Sequence, residues 1–187
     1  MRELIVTEFV SADGVMEAPG GEPGYAHAGW VGPHFTPELG EYKLAEQLAA
    51  EVLLLGRRTY EGFYGSWPAL KDPMADKINA MRKLVASSTL ASSDWHDTTI
   101  LGGDVPAAVA EVKQEGGGAI LVHGSRTLVH TLLANGLVDE LHLQVFPLVL
   151  GSGMRVWPDS PDALGLELAS AQPLPGGIVL AEYRPLH

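Results

Sequence analysis

The sequence contains no cysteine. Disulfide bonds, thiol nucleophiles, iron–sulfur clusters and thiolate zinc sites are therefore excluded. The sequence also lacks a run of the roughly 18 apolar residues that a membrane-spanning helix needs. Its N-terminus, MRELIVTEFV, is too short and too charged for a secretion signal. We therefore expect a soluble, cytoplasmic protein without a membrane partner.

Positive charge is scarce as well. Twelve Lys and Arg residues stand against 23 Asp and Glu residues, which gives a formal net charge of −11 and an isoelectric point near 4.9. Nucleic acids and anionic membranes need a basic face, so neither is an expected partner. Against this acidic background, Arg57, Arg58 and Arg126 stand out as candidates for anion binding.

The chain has 187 residues, 46% of them hydrophobic, which is enough for one domain with a substantial core. We found no internal repeat and no linker, so residues 1–187 are predicted to form a single domain. The seven histidines form neither an HExxH pair nor a close cluster. We therefore predict that the protein has no metal site.

The segment Val52 to Tyr60 reads VLLLGRRTY, an apolar run that ends at a glycine, two arginines and a threonine. Such a run predicts a buried strand of an α/β sheet, and open α/β sheets bind ligands at the carboxyl ends of their strands. The planar guanidinium group of arginine suits phosphate. The alternative is a surface turn with two solvated arginines.

A second segment has the same organisation. Residues Ala119 to Val122 predict another buried strand, which is followed by His123-Gly124-Ser125-Arg126-Thr127 and a helical pattern from Ser125 to Ala134. A strand, a Gly-Ser turn and a helix N-terminus together present backbone N–H groups to an anion. Two such turns predict binding of a nucleotide with more than one phosphate group.

The remaining elements are predicted from periodicity and capping residues. Asp139 to Phe146 alternates polar and apolar residues as an antiparallel strand does. Residues Met16 to Pro37 form a long loop whose Tyr25, Trp30 and Phe35 either stack on a flat heterocycle or anchor the loop to the core. The other predicted elements are strands at Leu4–Val10, Lys83–Ala86 and Thr99–Leu101, helices at Thr36–Ala50, Thr59–Trp67, Pro73–Met81 and Asp104–Gln114, and a C-terminal strand pair at Leu166–Ala171 and Gly177–Tyr183.

Taken together, four segments carry a family resemblance: LIVTEFVSADGVM, VLLLGRRTYEGF, KLVASSTL and AILVHGSRTLVHTLLANGLVDELHLQVFPLVLGSG. They resemble the dihydrofolate reductase-like family, and within it the C-terminal reductase domain of bifunctional riboflavin-synthesis proteins. The resemblance implies a single-domain α/β fold with a mixed, mostly parallel central sheet flanked by helices. It also implies NADPH as the cofactor.

The resemblance further implies positions for the cofactor. Gly56, Arg57 and Thr59 would hold the phosphates on the adenosine side, and Ser87 and Ser88 would lie beside the adenine ribose and its 2′-phosphate. Gly124, Ser125, Arg126 and Thr127 would line the pyrophosphate, with Leu128 nearer the nicotinamide. Val10, Asp13 and Val15 would belong to the loop that closes over the nicotinamide and the substrate.

Three departures from the family pattern bear on the substrate. The acid that holds the pterin ring in dihydrofolate reductase proper falls at about Gly40, beside Glu41, which weakens a folate interpretation. A Gly-Gly turn reads Gly124-Ser125 here, and serine tolerates this geometry less well than glycine. The cysteine motif of the zinc deaminase that accompanies bifunctional members is absent.

Two acids are candidates for a catalytic proton donor. Asp13 lies on the predicted covering loop, although an Asx turn in Ser11-Ala12-Asp13-Gly14 explains it at least as well. Glu41 is the second candidate, with a solvated helix face as the alternative.

The leading hypothesis is an NADPH-dependent reductase of a small heterocycle, similar to a 5-amino-6-(5-phosphoribosylamino)uracil reductase. The alternatives are an NADPH-binding protein without turnover and a dihydrofolate or pterin reductase. We also expect a homodimer that uses the strand Leu141 to Val149, since two-fold dimers are the commonest oligomers.

Overall fold

A computed structural model describes residues 1–160 and 162–186. In this part of the chain one eight-stranded sheet is formed, with the strand order β4-β3-β2-β5-β1-β6-β8-β7. The strands are β1 (Leu4–Ser11), β2 (Ala50–Gly56), β3 (Arg82–Ala86), β4 (Thr98–Leu101), β5 (Ala119–His123), β6 (Glu140–Phe146), β7 (Leu166–Pro173) and β8 (Val179–Pro185). The helices are α1 (Pro37–Ala49), α2 (Arg57–Ser66), α3 (Pro73–Ala80), α4 (Val105–Gln114) and α5 (Arg126–Ala134), and short 3-10 turns occur at Gly32–His34, Trp67–Ala69 and Pro175–Gly177.

Strands β1 to β6 pair in parallel, whereas β8 lies antiparallel between β6 and β7. This confirms the prediction of a mixed, mostly parallel sheet. The carboxyl ends of β3, β2, β5 and β1 therefore meet at one edge of the sheet, where an open α/β sheet binds its ligands.

Both faces of the central strands are buried. On β2, Val52 and Leu54 pack with α4 and α5, while Leu53 and Leu55 pack on the opposite face with α2 and α3. Burial on both faces explains why β2 reads as a continuous apolar run rather than an alternating one. No helix in residues 1–160 and 162–186 has the length and apolar character to cross a membrane.

The helix starts follow the capping residues in the sequence. The Thr36 side chain accepts a hydrogen bond from the Leu39 N–H at 3.3 Å, and Asp104 accepts one from the Ala107 N–H at 3.0 Å. One predicted start was wrong: α2 begins at Arg57, two residues before Thr59. Gly56 is extended (φ −80°, ψ 159°) and the helix follows it directly, which places Arg57 and Thr59 in its first turn.

Strand β6 was predicted to be antiparallel, and it is so on one side only. It is parallel to β1 and antiparallel to β8, and its polar residues His142 and Gln144 are buried rather than facing solvent. The alternation arises because these two side chains face a buried polar cluster described below. Both edges of β6 are occupied, so this strand cannot pair across a two-fold axis. The homodimer itself stays a prediction.

The long loop is anchored to the core by its aromatic residues. Trp30 is 6% exposed, packs edge-on against Phe146 and donates a hydrogen bond to the Glu17 carbonyl at 2.8 Å. The Tyr25 hydroxyl donates to the Ser152 carbonyl at 2.6 Å. These contacts favour the anchoring alternative for Trp30 and Tyr25, whereas Phe35 is 50% exposed.

Candidate functional site

Two turns lie side by side at the carboxyl edge of the sheet. The Gly56 turn (Gly56–Thr59) follows β2 and the Gly124 turn (Gly124–Thr127) follows β5, its parallel neighbour. The Ser125 hydroxyl oxygen accepts a hydrogen bond from the Gly56 N–H at 2.7 Å and lies 2.9 Å from the Thr59 hydroxyl. The two turns predicted separately from the sequence are thus joined by one side chain.

The turns approach too closely for larger residues. A Cβ atom on Gly56 would lie 3.1 Å from the Ser125 Oγ, and a Cβ atom on Gly124 would lie 3.2 Å from the Thr59 Oγ1. Gly124 (φ +53°) and Ser125 (φ +71°) are both left-handed. For serine this conformation costs on the order of 1–3 kcal/mol. The expected strain at Ser125 is therefore present in its backbone.

The first turns of α2 and α5 lie side by side at this edge, because the turns that precede them are joined by the Ser125 hydroxyl. In the described residues, neither Gly56 nor Ser125 caps its helix through a side chain, so the first backbone N–H groups remain available to a ligand. Arg57 lies in the first turn of α2 and pairs with Glu61 at 2.7 Å, and Arg126 donates to the Arg155 carbonyl at 3.1 Å. Helix N-termini and arginines together make this edge suited to an anion.

The predicted cofactor residues converge here, though not all through their side chains. Ser87 and Ser88 follow β3, the strand next to β2; the Ser87 hydroxyl accepts a hydrogen bond from the Leu90 N–H at 2.9 Å. Val10 and Leu128 are 3% and 6% exposed, and both side chains belong to the core. The Thr127 side chain is exposed.

Asp13 makes the contacts of a structural residue. Its carboxylate accepts hydrogen bonds from the Ser11 hydroxyl at 2.7 Å and from the N–H groups of Leu150 at 3.1 Å and Gly151 at 2.9 Å. The Ser11 hydrogen bond is the main reason that the pKa of Asp13 falls to about 2. An acid held ionised in this way has no proton to give at neutral pH, so these contacts support the turn interpretation.

No acidic side chain reaches the core from position 40, which is a glycine, or from the neighbouring Glu41. Glu41 lies on the exposed side of α1, as the solvated-face alternative has it. Gly40 packs against the Phe35 ring, where a Cβ atom would lie 3.3 Å from Cε1. The catalytic roles predicted for Asp13 and Glu41 stay predictions.

The sequence interpretation missed a buried polar cluster between α1 and the sheet. The cluster comprises Thr7, Lys43, Glu46, His142 and Gln144. Lys43 Nζ donates to Glu46 Oε2 and Thr7 Oγ1, both at 2.5 Å, while Glu46 Oε1 lies 2.7 Å from His142 Nδ1. The Lys43 and Glu46 side chains are 7% and 5% exposed, so this ion pair is shielded from solvent.

Electrostatics keep this cluster charged. Burial raises the pKa of Glu46, but the Lys43 ammonium and the His142 hydrogen bond outweigh it and bring the pKa to about 2. Burial also lowers the pKa of His142, while the contacts with Glu46 and Glu140 raise it by more, so its net pKa is above the ordinary value. Tyr42 extends the network, with its hydroxyl 3.2 Å from both His142 Nδ1 and Glu182 Oε1.

The cluster lies directly behind the Gly124 turn. Thr7 pairs with His123, the last residue of β5, and His123 Nε2 lies 3.0 Å from Gln47 Oε1. Burial and the Lys43 charge lower the pKa of His123 to about 3, so this ring is neutral. The spacing of Lys43, Glu46 and Gln47 after the buried Leu39 was the available sequence signal, since these positions share one helix face.

Glu8 is the second group that the sequence interpretation missed. It lies within the apolar strand β1, is 4% exposed, and its Oε1 has no hydrogen-bond partner in the described part of the chain. Burial raises the pKa of Glu8 to about 8, although Lys43 and the Gly124 backbone N–H lower it. A charged residue in the middle of LIVTEFV was its sequence signal.

A surface depression of about 310 Å³ lies beside the Gly56 turn. The stacked rings of Tyr60 and Tyr64 form one wall, with centroids 5.8 Å apart, and Leu90 and Ser93 contribute to the other. Leu90 donates a hydrogen bond to the Ser87 hydroxyl through its N–H, so the depression lies near the end of β3. Its aromatic surface is mainly that of Tyr64, which is 41% exposed, whereas Tyr60 is 3% exposed.

The chain is similar in sequence to a curated protein and similar in fold to two solved structures. It is 25% identical over 187 residues to the uncharacterized protein YyaP of Bacillus subtilis, covering 97% of this chain and 94% of YyaP. Two solved structures share the fold, each covering 99% of this chain. One is the diaminohydroxyphosphoribosylaminopyrimidine deaminase/5-amino-6-(5-phosphoribosylamino)uracil reductase of Thermotoga maritima (TM-score 0.68, 13% identity, 57% of that chain). The other is dihydrofolate reductase from Enterococcus faecalis, complexed with NADP(H) (TM-score 0.63, 15% identity, 97% of that chain).

A family model gives the assignment itself. The model of the RibD C-terminal domain matches residues 2–180, which is nearly the whole chain. The chain therefore belongs to the RibD C-terminal domain family, and its fold is that of the dihydrofolate reductase-like proteins.

Proposed function

We propose that the protein is an NADPH-dependent reductase of a small heterocyclic substrate of the aminouracil type. The observation that carries this proposal is the joining of the two anion-suited turns by the Ser125 hydroxyl, 2.7 Å from the Gly56 nitrogen. The family assignment supports it, as do the names of the two structural neighbours, one a uracil reductase and the other a reductase complexed with NADP(H).

The residues at the carboxyl edge fit a dinucleotide. The helix N-termini of α2 and α5 supply N–H groups for the two bridging phosphates, and the glycines at 56 and 124 let the backbone come close. A 2′-phosphate would lie at the ends of the neighbouring strands β2 and β3, which are followed by Arg57 and Ser88. Arg57 must exchange part of its pairing with Glu61, and because that pair is exposed the exchange costs little.

NADPH would supply the hydride when bound, and the chain has three tasks around it. The two turns orient the dinucleotide along the strand ends. The loop fixed by Asp13 and anchored by Trp30 excludes water from the reacting carbon. On the α1 side, Lys43 and His142 hold protons behind the Gly124 turn for the group of the substrate that accepts the hydride.

The substrate class is the part that needs a direct test. We would follow NADPH oxidation by the purified protein with 5-amino-6-(5-phosphoribosylamino)uracil and with dihydrofolate as acceptors. Turnover with the aminouracil and none with dihydrofolate is expected, since the position where a folate enzyme needs an acid falls at about Gly40, and Glu41 beside it is exposed.

In the same assay the variant Lys43→Met/Glu46→Leu tests the role of the buried polar cluster. It replaces the buried ion pair by apolar residues of similar size. If the cluster holds the catalytic protons, this variant loses turnover and keeps NADPH affinity. NADPH binding without turnover of either acceptor would favour the non-catalytic alternative. Turnover of dihydrofolate alone would favour the pterin alternative.

A further inference from the structure

Glu8 is an unusual residue for the position it occupies. It belongs to β1, between Val6 and Val10, both of which are buried in the core. In the register of the sheet, Glu8 pairs with Leu143 on β6. The preceding residue, Thr7, pairs on the other side with His123, the last residue of β5. The Glu8 carboxyl therefore lies beside Gly124, at the start of the Gly124 turn.

The carboxyl is only partly satisfied by the protein, because the Gly124 N–H donates to it. Its Oε1 is enclosed and has no hydrogen-bond partner in residues 1–160 and 162–186. An unpaired buried polar atom costs roughly 1–3 kcal/mol, so a group kept in this state calls for a partner that is not part of the chain. A neutral carboxylic acid in this position has a hydrogen-bond donor to offer.

The charged groups around Glu8 have other partners. From α1, Lys43 and Glu46 pair with each other at 2.5 Å. From β5, His123 is neutral and contacts Gln47. Residues of α5 pack on the same face of the sheet as Val6, and there the Arg126 Nε donates to the Arg155 carbonyl at 3.1 Å.

His130 of α5 is engaged in the same way, since its Nε2 lies 2.9 Å from the Val156 carbonyl. From β6, His142 is held by Glu46 and Glu140. None of these groups, in the described part of the chain, forms an ion pair with Glu8.

We propose that Glu8 is a cofactor-contacting residue that, as a neutral carboxylic acid, donates a hydrogen bond to a pyrophosphate oxygen of the dinucleotide bound at the Gly124 turn. The inference rests on the proposed function. It combines two independent observations: the uncapped N-terminus of α5, which attracts an anion, and the buried, unpartnered Glu8 oxygen beside it.

The proposal has a direct consequence for pH dependence. Burial raises the pKa of Glu8 to about 8. Below this value the acid is neutral and donates to the phosphate; above it a carboxylate would repel the phosphate. Binding therefore requires a proton, and the NADPH dissociation constant should rise about tenfold between pH 7 and pH 9. The 2′-phosphate, with a pKa of about 6, does not titrate in this window.

The experiment is a calorimetric titration of the purified protein with NADPH at pH 7, 8 and 9, in buffers of different ionisation enthalpy. Wild-type protein, Glu8→Gln and Glu8→Leu are compared. Glu8→Gln keeps a donor that does not titrate, so its affinity should match the wild type at pH 7 and stay within about twofold up to pH 9. Glu8→Leu has no donor and should bind about tenfold more weakly at pH 7.

A second readout keeps binding separate from folding. The ³¹P resonances of the bound pyrophosphate should titrate only above about pH 9 in the wild type, because the hydrogen bond to phosphate raises the Glu8 pKa further, and they should stay constant in Glu8→Gln. Thermal unfolding without NADPH should show both variants folded, and Glu8→Leu more stable than the wild type at pH 8, because leucine leaves neither an unpaired polar atom nor a buried charge at this position.

Two results would overturn different statements. If NADPH binds to the wild type with the same affinity from pH 7 to pH 9, or if Glu8→Gln shows the same pH slope as the wild type, the role of Glu8 is wrong and the proposed function is untouched. If NADPH fails to bind at any pH to wild type and variants alike, the proposed function is itself wrong.

Discussion

The Gly56 and Gly124 turns and the buried polar cluster lie back to back at the carboxyl edge of the sheet, yet they are built differently. The turns consist of consecutive residues after a strand, and their contacts are mainly with backbone groups. The cluster draws Thr7, Lys43, Glu46, His142 and Gln144 from three elements far apart in sequence. One region is specified by local order of residues and the other only by tertiary packing.

This difference separates two kinds of contribution to a site. The turns supply dipoles and N–H groups that need no titratable side chain, so they bind an anion over a wide pH range. The cluster supplies buried charged groups, and the pKa of each group depends on the charge of the others. The turns are therefore suited to binding and the cluster to holding protons, and the following variants separate the two.

The largest effect is expected from breaking the buried ion pair. Glu46→Ala leaves the Lys43 ammonium buried without its partner, which should lower the free energy of unfolding by about 3–5 kcal/mol. Lys43→Met/Glu46→Leu should cost far less, because no charge is left unpaired. Urea unfolding measures both. The exposed pair Arg82–Glu115 is the control, and Glu115→Gln should change stability by less than about 1 kcal/mol. Equal losses in Glu46→Ala and in the double variant would argue against an energetic role of the pair.

The same pair should make the protein sensitive to acid. The pKa of Glu46 falls from 4.5 to about 2 on folding, so its stabilisation is complete above pH 4.5 and is lost as the pH falls toward 2. This loss should reach about 3 kcal/mol. The difference between the unfolding curves of the wild type and Lys43→Met/Glu46→Leu isolates it from other carboxylates. A difference that stays constant from pH 5 to pH 2.5 would contradict the assignment of this pKa.

Among the residues of the two turns, Ser125 is the one whose substitution should lower the free energy of unfolding most. Ser125→Ala leaves the Gly56 N–H without its acceptor and keeps the left-handed backbone, which should destabilise the protein by about 1–3 kcal/mol. Ser125→Gly loses the same hydrogen bond but relieves the backbone strain, so its cost should be smaller. Thermal unfolding of the two variants gives the comparison. If Ser125→Gly proved the less stable of the two, backbone strain at this position would be refuted.

The smallest effect is expected at Asp13. Asp13→Asn keeps part of the hydrogen bonding to Leu150 and Gly151, so NADPH-dependent turnover should fall by less than about tenfold. The pH profile of the variant should match that of the wild type, because an acid with a pKa of about 2 does not titrate in the working range. Steady-state kinetics across pH 5.5–9 test this. A shift of the profile in Asp13→Asn would restore the role of Asp13 as proton donor.

The sequence was sufficient for the features that depend on neighbours in the chain. Apolar runs that end in Gly56 and Gly124 predicted two strands and the edge at which they meet, and Thr36 and Asp104 predicted two helix starts. The sequence was not sufficient for β6. There His142 and Gln144 alternate with apolar residues, as they would in a strand that exposes one face to solvent. Their polar partners come from α1 and β1, and no local pattern specifies that packing.

Catalytic acids illustrate the same limit. Asp13 and Glu41 were predicted because one lies on a loop and the other near a family position. Folding places the first in a network of backbone donors and the second in solvent. The pKa of Glu8 is raised by burial and that of Glu46 is lowered by Lys43 and His142, and both the burial and these partners are set by the whole fold.

The most direct test of the account is a titration of the purified protein with NADPH and with NADH, followed by nicotinamide fluorescence, using wild type, Arg57→Ala and Arg82→Ala. Arg82 starts β3 at the opposite edge of the sheet. Arg82→Ala therefore removes the same charge at a position away from the two turns. We expect saturable binding of NADPH at micromolar concentration and weaker binding of NADH. The NADPH affinity should fall about tenfold in Arg57→Ala but not in Arg82→Ala. Absence of binding by the wild type, or equal weakening by both arginine variants, would contradict a dinucleotide site at the two turns.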